Sequence, residues 1–355
     1  MNQILHILYI GSLWQGSTCL MRMRALEKLG HKLLPVDTEP HQINKRGVRL
    51  ADRVMSKLGY PIDIWKINQK LEAAVEQYRP DIVWIDKGLV IWPDTLRAIK
   101  RLNSKTIIIG YSPDDMVQRH SQSRYWLNGL HLYDVYFTTK TYNVAELRAM
   151  GAKCPIFVGN AFDPETHRPI SITQEERIAL GSPVGFIGAW EYDRAEKMLA
   201  LASSGVKVRA WGWQSRSSWV NRHPNLIVES KLLWSDDYAK AICSSDIALC
   251  FLRKINRDRQ TTRSIEIPAC GTFMLAERTD EHLELFAEGK EAEFFSSTAE
   301  LIDKTRFYLQ HDNLRKKIAA AGRERCIRSG YDYPSRIRWM LTKVREKIDL
   351  NSEMV

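Results

Sequence analysis

The chain has 355 residues, 44% hydrophobic and 26% charged, which excludes wholesale disorder and suits two domains of about 150 residues each. Its net charge of +10 leaves nucleic acid, an anionic membrane surface and phosphate-bearing small molecules all open as partners. No apolar run reaches the roughly 20 residues of a membrane span. The N-terminus lacks the flanks of a signal peptide, and the six cysteines contain no C-x-x-C pair of the kind structural zinc prefers. A cytoplasmic protein with buried free thiols is the expectation.

In chain order, "ILHILYIG" reads as a strand buried on both faces and closed by Gly11. A glycine turn from Gly11 to Gly16 follows, with Ser17 or Thr18 placed to cap a helix that stops at Gly30. Residues 31–38 form a second strand, and residues 44–78 a basic, helix-leaning stretch broken at Tyr60-Pro61. Strands over "PDIVWIDKG", "KTIIIGYSPDD", "YDVYFTTK" and "CPIFVGNAFD" then alternate with helices over "PDTLRAIKRLN" and "NVAELRAMGA". That alternation predicts a parallel sheet covered by helices. Residues 163–171 make the best linker, after which the pattern restarts. Strands over "SPVGFIGAW", "VKVRAWGW", "NLIVES", "DIALCFL" and "TFMLAE" are interleaved with helices, one opening at Ser235 as a candidate cap. A basic helix from Tyr333 closes the chain. The fold class is therefore α/β, with two Rossmann-like domains, and ligands are sought beyond the carboxyl ends of their strands.

The most informative segment is "RSIEIPACGTFML". A nucleotide-diphosphate sugar needs a carboxylate for its hydroxyls, and fixed positive charge with helix N–H groups for its diphosphate. Glu266 and Arg263 supply both types, although a glutamate there also serves the helix dipole alone. Arg257 is the second expected diphosphate partner, and Thr261 and Thr262 are candidate caps. Gly188, and Gly11 with Ser12, lie in glycine turns where backbone can approach a phosphate, or which are ordinary strand-to-helix turns. Neither carries a dinucleotide fingerprint. Trp190, Trp211 and Trp213 follow strand ends, where an aromatic face could stack on a base or sugar. Asp114 and Asp115 follow the "IIIGYS" strand with His120 near, as candidates for activating an acceptor hydroxyl or as turn caps. Asp86 is a second strand-end acid. The adjacent pair is not the D-x-D of a cation chelate, and the basic loop offers the diphosphate an alternative to a metal. No metal and no cofactor are expected.

The stretch from about Gly185 to Arg338 resembles the CgeB-like (spore-protein-maturation) branch of the GT-B glycosyltransferases. Arg263, Glu266, Ala269 and Gly271 match R-x-x-E-x-x-A-x-G. Glu281, Phe286, Gly289 and Glu291 match a second motif, and Arg315, Ile318, Ala319 and Gly322 a third. The resemblance implies two domains facing a cleft, with residues 1–162 as acceptor domain, 163–332 as nucleotide-sugar donor domain, and a final helix in 333–355 crossing back. It also implies that Glu266 contacts the donor and that no metal is required. Related retaining enzymes carry two glutamates separated by seven residues, and here the first position holds Asp258, so stereochemistry stays open. Transfer of a sugar to a hydroxyl of a glycan, a lipid-linked saccharide or a protein is the leading expectation. The alternative is a non-catalytic relative that binds a nucleotide or glycan as a scaffold. Nucleic acid is not expected as a partner, for want of a recognition motif; peripheral contact with a membrane stays open.

Overall fold

The computed structural model describes residues 4–39, 50–213, 217–219 and 221–352. The start of the helix-leaning stretch, residues 44–49, lies outside them. The chain divides into two compact units, one of Met1–Gly159 with Tyr333–Val355 and one of Asn160–Asp332.

The first unit runs β1 (His6–Gly11), α1 (Thr18–Lys28), β2 (Lys32–Asp37), α2 (Leu50–Lys57), α3 (Ile67–Tyr78), β3 (Ile82–Asp86), α4 (Pro93–Leu102), β4 (Ile107–Ser112), α5 (Arg124–Gly129), β5 (Val135–Thr138), α6 (Asn143–Ala149) and β6 (Pro155–Phe157). Its sheet is parallel, in the order β2-β1-β3-β4-β5-β6. The continuous apolar runs make this sheet because both faces are covered: all five residues of β3 are buried. Tyr9 and Trp84 are register partners with stacked rings 6.1 Å apart, and Trp84 stacks in turn on Tyr111 and Phe137. Each such ring, fully buried, contributes roughly 1.5–3 kcal/mol. Local signals act as read at two helix starts. Ser17 Oγ accepts from the Leu20 amide, and Pro93 opens α4.

The second unit runs α7 (Gln174–Leu180), β7 (Ser182–Ile187), α8 (Tyr192–Ser203), β8 (Val208–Trp211), β9 (Leu226–Glu229), α9 (Ser235–Cys243), β10 (Ser245–Cys250), α10 (Arg263–Ala269), β11 (Phe273–Glu277), α11 (Asp280–Leu285), β12 (Glu293–Phe295), α12 (Thr298–Gln310) and α13 (Asp312–Arg328). Its parallel sheet has the order β12-β11-β10-β7-β8-β9. The final helix, α14 (Tyr333–Ser352), packs on α1 in the first unit. Two parallel, helix-covered six-stranded sheets bear out the α/β double-Rossmann reading.

Three local expectations are corrected. Ser235 does not cap α9: the cap position falls on Trp234, and Ser235 takes φ 50°. The 163–171 segment is no simple linker, because Asp163 and His167 are buried and tied together, Asp163 N–H donating to His167 Nδ1 at 2.9 Å. Trp211 and Trp213 are buried in the core at 5% and 2% exposure, which removes both as stacking platforms.

Candidate functional site

Strand order reverses between β7 and β10 in the second unit, and ligands of open parallel sheets bind beyond the strand ends at such a point. Gly188 follows β7 there, its N–H donating to the Trp211 carbonyl at 3.0 Å. A Cβ at this position would stand 2.8 Å from Phe186 Cζ and 3.4 Å from Arg263 Cζ. The missing side chain therefore keeps the guanidinium against the turn.

Arg263 opens α10, with its guanidinium over the Phe186 ring at 5.9 Å. Among the described residues it makes no hydrogen bond or ion pair, and its Nε is buried without a partner. Arg194, on α8, was not singled out from the sequence. It is 1% exposed, donates from Nη1 to the Ala189 carbonyl at 3.0 Å, and leaves Nε and Nη2 without hydrogen bonds. Burial, followed by the charges of Arg263 and Arg253, lowers its pKa to about 10 despite Glu191. Arg253, beyond β10, is held by Glu191 at 2.9 Å. An anion placed here would relieve repulsion among three guanidinium groups and satisfy their idle donors. Arg257, the other expected partner, is exposed, with φ 48°. Trp190 is half-buried beside Trp219, ring centroids 6.1 Å apart.

Glu266 lies one turn into α10 and is buried. It accepts a 2.6 Å hydrogen bond from Tyr238 Oη, whose pKa burial and then Glu266 itself push far up, so the phenol stays a donor. His167 Nε2 stands 3.7 Å from the other carboxylate oxygen. Because the Asp163 amide donates to His167 Nδ1, the neutral ring carries its proton on Nε2, facing Glu266. Burial lowers the His167 pKa, although Glu266 and Asp163 oppose this, and keeps the ring neutral. The carboxylate is thus oriented by two neutral groups.

The start of α10 is fixed from behind. Thr262 makes no side-chain cap, contrary to expectation. Instead the Thr261 amide donates to Ser264 Oγ at 3.0 Å, and Ser264 Oγ pairs with His282 Nε2 at 2.7 Å. His282 Nδ1 is 2.6 Å from the Glu277 carbonyl, so that nitrogen donates and Nε2 accepts from the serine. All three side chains of the Ser264–His282–Cys250 contact are buried, which makes it an anchor for the helix.

In the first unit the order reverses between β1 and β3. Gly11 packs there, a Cβ falling 3.2 Å from Asp86 Cβ, and Ser12 Oγ donates to Glu39 at 3.0 Å. Asp86 is buried and accepts from Tyr9 Oη and from Arg22 Nε and Nη2 at 3.2 and 2.9 Å. Arg22 is 1% exposed and lies over the Tyr111 ring at 4.1 Å. Asp114 reaches Lys87 Nζ at 2.5 Å. Burial lowers the Lys87 pKa, but Asp114 outweighs it and the net shift is upward. Asp115, expected either to activate an acceptor hydroxyl or to cap the turn, is fully buried and accepts from the Val117 amide and Asn143 Nδ2, which favours the turn cap. His120 is exposed on a cavity described below.

The fold, two Rossmann-like domains in one chain, is the GT-B fold of similar solved structures. Residues 194–342 match the family model described as glycosyl transferase-like. Similar solved structures include sucrose-phosphate synthase from Thermosynechococcus elongatus, at 11% identity and TM-score 0.65, covering 98% of this chain and 100% of that one. HepE of Anabaena in complex with UDP and glucose aligns at 10% identity and TM-score 0.62, over 96% and 100% of the chains. An alpha-glucosyltransferase in complex with UDP and a 13-mer DNA containing a central A:G mismatch aligns at 12% identity and TM-score 0.66, over 97% and 100%. At such identities the likeness is one of fold. No curated protein matches in sequence. Among the described residues, no helix is long and apolar enough to cross a membrane.

Proposed function

We propose that this protein is a glycosyltransferase that moves a hexose from a nucleotide-diphosphate sugar to an acceptor hydroxyl, within the CgeB-like branch and in the cytoplasm. The observation that carries the reading is Arg263: a guanidinium without a hydrogen-bond or ion-pair partner among the described residues, at the start of α10, beside Gly188 and the idle nitrogens of Arg194. As the bond from the anomeric carbon to the diphosphate oxygen breaks, negative charge grows on that oxygen. Preorganised cations stabilise it without reorganisation. Fixed cations in this place do the work a divalent ion would do, so the reaction we propose needs no metal. Glu266, oriented by Tyr238 and His167, receives hydroxyls of the donor. Asp114 of the first unit orients the acceptor hydroxyl, its charge held by Lys87. The fold is shared with structures bound to UDP or to UDP and glucose, which supports a uridine donor.

The test is a melting-temperature screen of UDP, GDP, dTDP, CDP and ADP with EDTA present, on wild type and Glu266→Ala. One nucleotide should raise the wild-type midpoint and raise that of the variant much less, because a ligand stabilises only the state it binds. If none of the five moves the wild-type midpoint, the donor site is misplaced.

A further inference from the structure

A cavity of about 910 Å³ opens in the first unit between the end of α2 and the segment from the 3-10 turn at Arg119–Ser121 into α5. None of the residues lining it is acidic, while Lys57, Arg119, His120 and Arg124 all contribute. Among the described residues, the side chains of Lys57, Arg119 and Arg124 make no hydrogen bond or ion pair, and all three are exposed. Leu58, Pro61, Leu89 and Leu127 supply apolar wall.

The wall is built. The Arg124 amide donates to the Gly59 carbonyl at 2.6 Å, which ties the α2 end to the start of α5. Gly59 has φ +90°, and a Cβ there would stand 3.1 Å from Arg124 Cγ. Glycine is what lets the loop pass against the arginine stem. Val54 and Met55 at the end of α2, and Leu58, Tyr60, Ile62 and Ile64 on the loop after it, are all exposed large hydrophobics within eleven residues. Tyr60 meets Tyr125 edge-on at 5.5 Å, and Trp92 lies 6.4 Å from Tyr125.

Unpaired cations beside a run of exposed apolar side chains close in sequence complement a ligand that is anionic at one end and apolar at the other. We propose that this cavity binds the phosphate of a lipid-linked acceptor, with the hydrocarbon chain lying along the run from Val54 to Ile64. This names the acceptor class for the glycosyl transfer above and rests on that reading. A sugar hydroxyl or phosphate alone would have no use for six exposed hydrophobic side chains, and a neutral detergent-like molecule none for three idle cations.

The probe is decyl phosphate, kept below its micelle concentration and titrated calorimetrically into the full chain, with inorganic phosphate and decyl maltoside as comparisons. Decyl phosphate should bind well above both. The double variant Arg119→Ala/Arg124→Ala should weaken it by roughly a hundredfold, two charge-assisted contacts being lost. Leu58→Ser/Ile62→Ser should weaken it by about tenfold, and decyl maltoside should be indifferent to the arginine changes. Equal binding of inorganic phosphate would overturn the lipid assignment, and equal binding of decyl maltoside would overturn the phosphate assignment. Unchanged affinity in the arginine variant with a normal circular dichroism melt would overturn the site. The nucleotide screen is run on the same preparations. Nucleotide binding without decyl phosphate binding sinks this inference alone; the converse result sinks the donor reading and, with it, the acceptor role, leaving a lipid-phosphate site.

Discussion

The two strand-order reversals face opposite electrostatic situations. In the first unit the charge at that point is closed upon itself: Asp86 takes Arg22 and Tyr9, and Arg22 is further covered by the Tyr111 ring. In the second unit the charge is left open. Among the described residues Arg263 and two nitrogens of Arg194 have no hydrogen bonds, and burial together with cationic neighbours disfavours the charge that Arg194 still carries. Desolvated donors without acceptors cost stability unless something else satisfies them. A closed network is thus a structural element, and an open cationic one is a place for an anion.

The largest effect expected from breaking this contrast is at the closed network. Arg22→Ala strands a buried carboxylate and should cost about 3–5 kcal/mol, read from urea unfolding with unchanged slope. The double change Arg22→Met/Asp86→Leu should recover most of it, since no buried charge remains. Next comes Arg263→Ala, which should reduce transfer by roughly two to three orders of magnitude while leaving the nucleotide-free melt unchanged or slightly raised. A stability loss as large as that of Arg22→Ala would make Arg263 structural and erase the difference between the units. The smallest effect is set by pH. Burial lowers the pKa of both His167 and His282, so the unfolded chain binds more protons between their folded values and the ordinary value of about 6.5. Their contribution is full above that value and is lost as the pH falls below it. The wild-type melting temperature should fall from pH 7.5 to 5.5, and His282→Asn should flatten part of the fall. An equal slope in that variant would separate α10 anchoring from the acid response.

Much of the second unit was legible because its chemistry is local. The α10 segment places Arg263 and Glu266 one turn apart, and a seven-residue helix fixes that relation whatever surrounds it. Ser17 and Pro93 acted locally in the same way. Thr262 and Ser235 did not, because packing chose other backbone conformations at those starts. Arg194 was illegible: in "YDRAEKML" it looks like any surface cation of an amphipathic helix, and only its burial beneath the Gly188 turn gives it a role. Tyr238 and His167 reach Glu266 from 28 and 99 positions away, with no spacing to announce them. The cavity beside Gly59 joins a helix end to a turn some sixty positions later.

By itself, then, the sequence determined the order of strands and helices, the parallel character of both sheets and the charge type at α10. Those follow from periodicity and from residues a turn apart. Tertiary structure alone decided which acids and bases neutralise one another and which stay open. Pairing depends on burial and on contacts between distant segments: the Asp86 carboxylate is neutralised by Arg22, whereas Glu266 meets only the neutral side chains of Tyr238 and His167.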